Sequence, residues 1–182
     1  MKNIASVLLL LVSGSVFSQV IIGGAVGTAT DKTSVLLDFA AGQNKGIILP
    51  YVTAKPAGAN LSEGTIVLDA SDSTKAKVQY YNGLPDWVDL SSGNEANITS
   101  HMSIQPSAIT DDASAKAIIG ANVSSADGVL VLESQTKAMI LPMVASTDDI
   151  PDPAPGMLVY INKTGAKRLA VFNGAFWTYW KP

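Results

Sequence analysis

The residues in this chain that could carry chemistry are few. There is one histidine, His101, and no cysteine. A disulfide, a thiolate zinc site and a cysteine nucleophile are therefore excluded. A lone histidine is too little for a zinc centre or for a nucleophilic triad. His101 also lies in the polar stretch Ser91–Ser107 and reads as a solvated residue. Carboxylates crowd together twice, at Asp111-Asp112 and at Asp148-Asp149 with Asp152. Calcium takes about six to eight oxygens, and neither group has the spacing of an EF-hand loop. The first pair reads as acids at a helix N-terminus, the second group as a solvated loop. Glycoside hydrolysis needs two carboxylates flanking a cleft, and no pair here is singled out for that. The glycines of "GGAVG", from Gly23, lack the Lys-Ser/Thr of a phosphate loop and the strand–helix setting of a dinucleotide site. They read as a flexible leader. The expectation is no catalytic residue, no cofactor and no metal, in a protein that is not an enzyme.

Aromatic side chains are the stronger candidates for binding. Tyr80, Tyr81 and Trp87 lie close together, as do Phe172, Phe176, Trp177, Tyr179 and Trp180. Flat aromatic faces on a sheet edge could stack on sugar rings. Large aromatics also dominate small cores, and Trp87 and Trp177 recur at one place in a repeated phrase, so both are expected to fill cores. Tyr179 and Trp180 have no such counterparts. With Phe176 they are the candidate binding or interface residues.

The repeated phrase is the main signal of organisation. "NKGIILPYV" from Asn44 lies over "TKAMILPMV" from Thr136, and Lys45, Ile48, Leu49, Pro50 and Val52 match Lys137, Ile140, Leu141, Pro142 and Val144 at a spacing of 92. Gly64 and Val67 match Gly156 and Val159 at the same spacing. Asn82-Gly83 matches Asn173-Gly174 at 91, and Trp87 matches Trp177 at 90. Upstream, Val35 lies over Val129. Ordered matches of this length indicate an internal duplication, and so a modular architecture.

Each copy reads as a small β-meander. "SVLLDF" and "GVLVLE" are apolar runs too short for free-standing helices. Pro50 and Pro142 stop the next strands because they lack the ladder N–H. Asn-Gly tolerates positive φ and predicts a type I′ hairpin turn in each copy. A lone three-stranded meander is marginally stable, so the modules need each other or another chain. The expected fold is all-β, with two tandem small meander modules, elongated and completed by oligomerisation. The expected division is a signal peptide at 1–18, a first module with a short leader at 19–93, a linker at 94–117 and a second module at 118–182. "TDDASAKAIIG" from Thr110 allows one short helix ending at Gly120, and "IIGANVSSADG" equally allows an entrance to the second module.

Residues 1–18 read as a secretory signal peptide, with Lys2, an apolar core from Ile4 to Val12, and small residues before Gln19. That core is shorter than the roughly 20 residues of a bilayer span. The whole chain has twelve basic and fifteen acidic residues, a net charge of -3. Nucleic acid is therefore excluded as a partner. No basic amphipathic helix offers stable membrane attachment.

The segments "VGTATDKTSVLLDF", "KGIILP", "GTIVLD" and "YYNGLPDW", with "KAMILP", "GMLVYI" and "VFNGAFW", resemble a phrase found in predicted exported proteins of Bacteroidetes and in parts of bacteriophage tail fibres. Two departures stand out. Ala138 takes the place of Gly46, and the arginine common after the proline is replaced by Tyr51 and Met143. The resemblance implies an extracellular, fibre-like or surface-associated β protein assembled from several chains. Self-association as a homotrimer would bury the apolar face that such small modules leave over, and other surface or fibre proteins are the alternative partners. The alternative is a monomeric surface adhesin that binds a glycan through its C-terminal aromatics.

Overall fold

The structure is a computed structural model that describes residues 19–59, 61–83, 87–103, 112 and 115–180. The expected signal segment lies outside the described residues. In chain order the strands are β1 (Val20–Ile22), β2 (Val35–Phe39), β3 (Ile47–Ile48), β4 (Tyr51–Val52), β5 (Ile66–Asp69), β6 (Lys77–Tyr81) and β7 (Trp87–Asp89). A single helical turn, α1 (Thr99–Met102), follows. The strands resume with β8 (Ala117–Ile119), β9 (Leu130–Leu132), β10 (Ala138–Met139), β11 (Met143–Val144), β12 (Met157–Ile161), β13 (Arg168–Phe172) and β14 (Trp177–Trp180). The fold is all-β, made of short parallel pairs in solenoid-like turns and two antiparallel meanders.

The duplication is carried into the strand pairing. β4 runs parallel to β5, which pairs antiparallel with β6 and then β7. β11 to β14 repeat that order. Tyr51 faces Leu68 and Met143 faces Tyr160, both pairs 92 residues apart. Tyr81 faces Trp87 as Phe172 faces Trp177. Upstream, β1–β2 and β8–β9 are both parallel pairs. Leu37 lies opposite Val20 and Leu130 opposite Ala117. This makes Leu37 and Leu130 equivalent at a spacing of 93, one less than the Val35–Val129 alignment.

The leader is also structured. Ile21-Ile22-Gly23 recurs as Ile118-Ile119-Gly120, and both glycines hold positive φ, at 90° and 101°. A type I′ turn needs positive φ at both central residues. Among the described residues Gly83 and Gly174 have it, but neither Asn82 nor Asn173 does. The loops are longer than two residues, so a side chain rather than backbone twist closes the second one.

The copies are interlocked rather than strung in series. β10 of the second copy pairs in parallel with β2 of the first. β3 of the first copy pairs antiparallel with β12 of the second. The larger core is shared: Leu68, Val78 and Leu90 pack with Leu158 and Val171. A second cluster, built on Val144, Ile150, Val159 and Ala170, fills the other face of β12 and β13. Burying each such side chain stabilises by about 1.5–3 kcal/mol.

The polar stretch after Leu90 joins this core. Ala96 bridges to Ala76, and Ile98 is fully buried in the shared cluster. Sequence polarity hid this because single apolar residues there alternate with exposed polar ones. Residues 104–111, 113 and 114, where a helix was one expectation, lie outside the described residues. Ala117–Ile119 is a strand, which is the entrance to the second copy.

Candidate assembly interface

The functional candidates lie along the seam between the copies. Pro50 and Pro142 end β3 and β10 and turn the chain from one sheet to the next. Their carbonyls accept from Leu68 N at 3.0 Å and Tyr160 N at 2.9 Å. Beyond Pro50, Tyr51 Oη donates to Pro155 O at 2.8 Å across the seam. Burial pushes this phenol above its ordinary pKa. Leu49 N donates to Gly156 O at 3.1 Å.

The second Asn-Gly turn is part of the same seam. Asn173 is fully buried. Its Oδ1 accepts from Ala175 N at 3.0 Å and Phe176 N at 2.9 Å, and its Nδ2 donates to Asn94 O at 2.9 Å. Gly174 lies under Ile98: a Cβ on it would come within 2.5 Å of Ile98 Cγ2. Asn82 and Gly83 are exposed. The same dipeptide is thus a surface turn in one copy and a docking element in the other.

The aromatics divide differently from expectation. Trp87 and Trp177 are half-buried. They pack at a tilt against Tyr81 and Phe172, with ring centroids 5.6 Å and 5.2 Å apart. Trp177 packs against the edge of the second cluster, but both cores are aliphatic. The meanders are narrow, so the tryptophans cap them instead of filling them. Of the candidate binding residues, Phe176 is 53 % exposed, Tyr179 42 % and Trp180 39 %. Tyr179 Oη is 2.9 Å from Thr147 Oγ1, and the Arg168 guanidinium lies 4.4 Å over its ring, a cation–π contact. Trp180 Nε1 donates to Leu90 O at 2.9 Å, tying β14 to the first copy.

A buried carboxylate fixes the parallel sheet. Asp38 is fully buried and accepts from Thr28 N, Thr28 Oγ1, Ala29 N and Phe39 N at 2.8–3.2 Å. Burial raises its pKa, and these donors outweigh burial, so the carboxyl titrates below its ordinary value. In the second copy Ser124 Oγ donates to Glu133, which is half-buried.

The other chemical candidates have structural partners. Asp149 accepts from Ser146 N at 3.0 Å in a capping box. His101 is half-buried on α1, its Nδ1 3.4 Å from Ser100 Oγ. Asp111 lies outside the described residues. Among the described residues no group of three His, Cys, Asp or Glu side chains is placed to hold a metal, and no helix is long and apolar enough to cross a membrane.

Residues 118–182 match the family model described as a phage tail like trimerisation region. This stretch holds β9 to β14, the second copy of the repeat. No curated protein and no solved structure gives a significant match to the chain.

Proposed function

We propose that this chain is an exported structural protein that works by self-association, as a homotrimer within a fibre-like assembly outside the cytoplasm. Its chemistry is surface burial and strand pairing, without turnover. The match of residues 118–182 to a phage tail like trimerisation region carries the reading. The seam supports it, because the region that matches uses its turn and strand ends for docking. The signal-like segment at 1–18 and the phrase shared with exported Bacteroidetes proteins motivate the location, at the cell surface or in the periplasm. Sedimentation velocity and light scattering of the purified protein test the assembly, with a mass of three chains expected. A monomer at micromolar concentration sinks it.

A monomeric glycan-binding adhesin is the second reading, favoured by three exposed aromatics, Phe176, Tyr179 and Trp180, at one strand. The Tyr179 hydroxyl and the Trp180 N–H already have partners within the chain, which leaves mainly ring faces for a sugar. A glycan array tests it.

A further inference from the structure

Within the chain, the two copies use opposite edges of the same strand. β3 turns its odd-numbered amides to β12, with Leu49 N donating to Gly156 O at 3.1 Å. Because amides alternate along a strand, those of Gly46 and Ile48 point to the other edge. β10 does the reverse: Ala138 N and Ile140 N, the counterparts of Gly46 and Ile48, donate to Ser34 O at 2.8 Å and Leu37 O at 2.9 Å. Among the described residues, each copy leaves open the edge that the other uses.

The strands that accept those edges are also half satisfied. β2 lies between β1 and β10, whereas among the described residues β9 pairs with β8 alone and its other edge is open. Leu36 and Leu37 of β2 are 2 % and 1 % exposed, while Val129 and Leu130 at β9 are 74 % and 49 % exposed. Among the described residues the start of β5 is open where its counterpart, the start of β12, holds β3.

A third observation concerns packing. A Cβ on Gly156 would lie 3.5 Å from Leu49 Cβ and 3.4 Å from Leu68 Cβ, and its counterpart Gly64 meets nothing within 4 Å. The counterparts of Leu49 and Leu68 are Leu141 and Tyr160. With Met139, Ile140 and Met143 they line an open apolar cavity of about 270 Å³. That cavity is the first copy's docking seat, repeated in the second copy with none of the described residues in it.

We propose that the contact between the two copies is repeated between chains, head to tail, the occupant being a second copy of this chain. The free edge of β3 in the incoming chain completes β9, and its Gly64 seats over Leu141 and Tyr160. In return the free edge of β10 completes the start of the incoming β5. Chains so related close a ring if the rotation closes and run on as a filament if it does not, and the contact is the same in both. This proposal rests on the self-association reading and adds the surface through which it occurs.

Lysine on a strand edge blocks pairing. Ile48→Lys blocks the incoming side and Leu130→Lys the receiving side, with thermal melting as the control for folding. We expect wild type to assemble and each variant to associate at least about tenfold more weakly. Mixing the two variants should restore a 1:1 pair, because an intact receiving side then meets an intact incoming side. Ile48 is 53 % exposed, so its variant keeps the test alive if Leu130→Lys fails to fold. If wild type assembles and a variant that melts like wild type does too, or if the mixture gives no pair, this interface is wrong while self-association stands. A monomeric wild type removes both.

Discussion

Gly46 and Ala138 occupy the same place in the repeat but lie against different neighbours. A Cβ on Gly46 would come within 2.4 Å of Met157 Cγ and 2.7 Å of Leu158 O. Ala138 carries its Cβ beside β2, where its N donates to Ser34 O at 2.8 Å. The departure between the copies therefore has a steric cause. Gly46→Ala should destabilise by about 1–3 kcal/mol through overpacking against β12. Ala138→Gly should cost only about 0.5–1 kcal/mol, from backbone entropy. Urea unfolding of both variants measures the difference, and equal losses would show that the close approach at Gly46 does not matter.

Asp38 sets an acid limit on the parallel sheet. Its folded pKa lies below the ordinary value because its four donors outweigh burial. A depressed carboxylate contributes stability that is fully present above its unfolded pKa, about 3.9. That stability is lost as pH falls through the folded value. The contribution should therefore be constant at neutral pH and fade only below about pH 4. Asp38→Ala, which strands the buried donors, should cost on the order of 3 kcal/mol at pH 7 and flatten the acid side of the stability curve. A variant that keeps the wild-type acid slope would assign that slope to other groups.

Asn173 and Asn82 test how far the copies have diverged. Asn173 closes its loop with two accepted bonds and reaches Asn94 with a third. Asn173→Ala removes all three bonds made by a fully buried side chain and, at about 1 kcal/mol each, should cost on the order of 3 kcal/mol. Asn82 is exposed, where water can replace a lost partner, and Asn82→Ala should cost less, about 1 kcal/mol or below. Paired thermal melts decide it, and similar values would deny Asn173 its role at the seam.

How legible these features were in the sequence depends on whether local chemistry or distant partners controlled them. Pro50 and Pro142 stop their strands for a local reason, the missing N–H, and the spacing of 92 survives into the register of β4–β5 and β11–β12. The exchange of β3 and β10 was not legible, because two similar apolar-Pro phrases choose different partner strands, and the choice depends on distant surfaces. Ile98 was missed because one isoleucine among polar residues has no period. The repeated Ile-Ile-Gly at Gly23 and Gly120 was a usable signal that the glycine-rich leader obscured. The turn type was misjudged because Asn-Gly specifies I′ only in two-residue loops, and loop length is set by the strand register. Among the candidate residues, the two tryptophans are half-buried where the repeat predicts core positions.

Trp180 separates the two functional readings. Its N–H donates to Leu90 O at 2.9 Å, from the last strand of the second copy to the end of the first. If this bond is its main task, Trp180→Phe should cost about 1 kcal/mol by losing one hydrogen bond. Trp180→Ala should cost more, because the ring's contacts go as well. Neither change should alter glycan retention, since the edge that carries the N–H is turned into the seam. A sugar platform makes the opposite demand: Trp180→Phe preserves a stacking face and keeps binding, while Trp180→Ala abolishes it. The two variants should therefore be compared on melting temperature and on a glycan array together. A graded loss of stability with an unchanged array is the expected result. A glycan held by wild type and by Trp180→Phe, and lost by folded Trp180→Ala, would move the exposed ring face from the periphery of the assembly to the centre of the function.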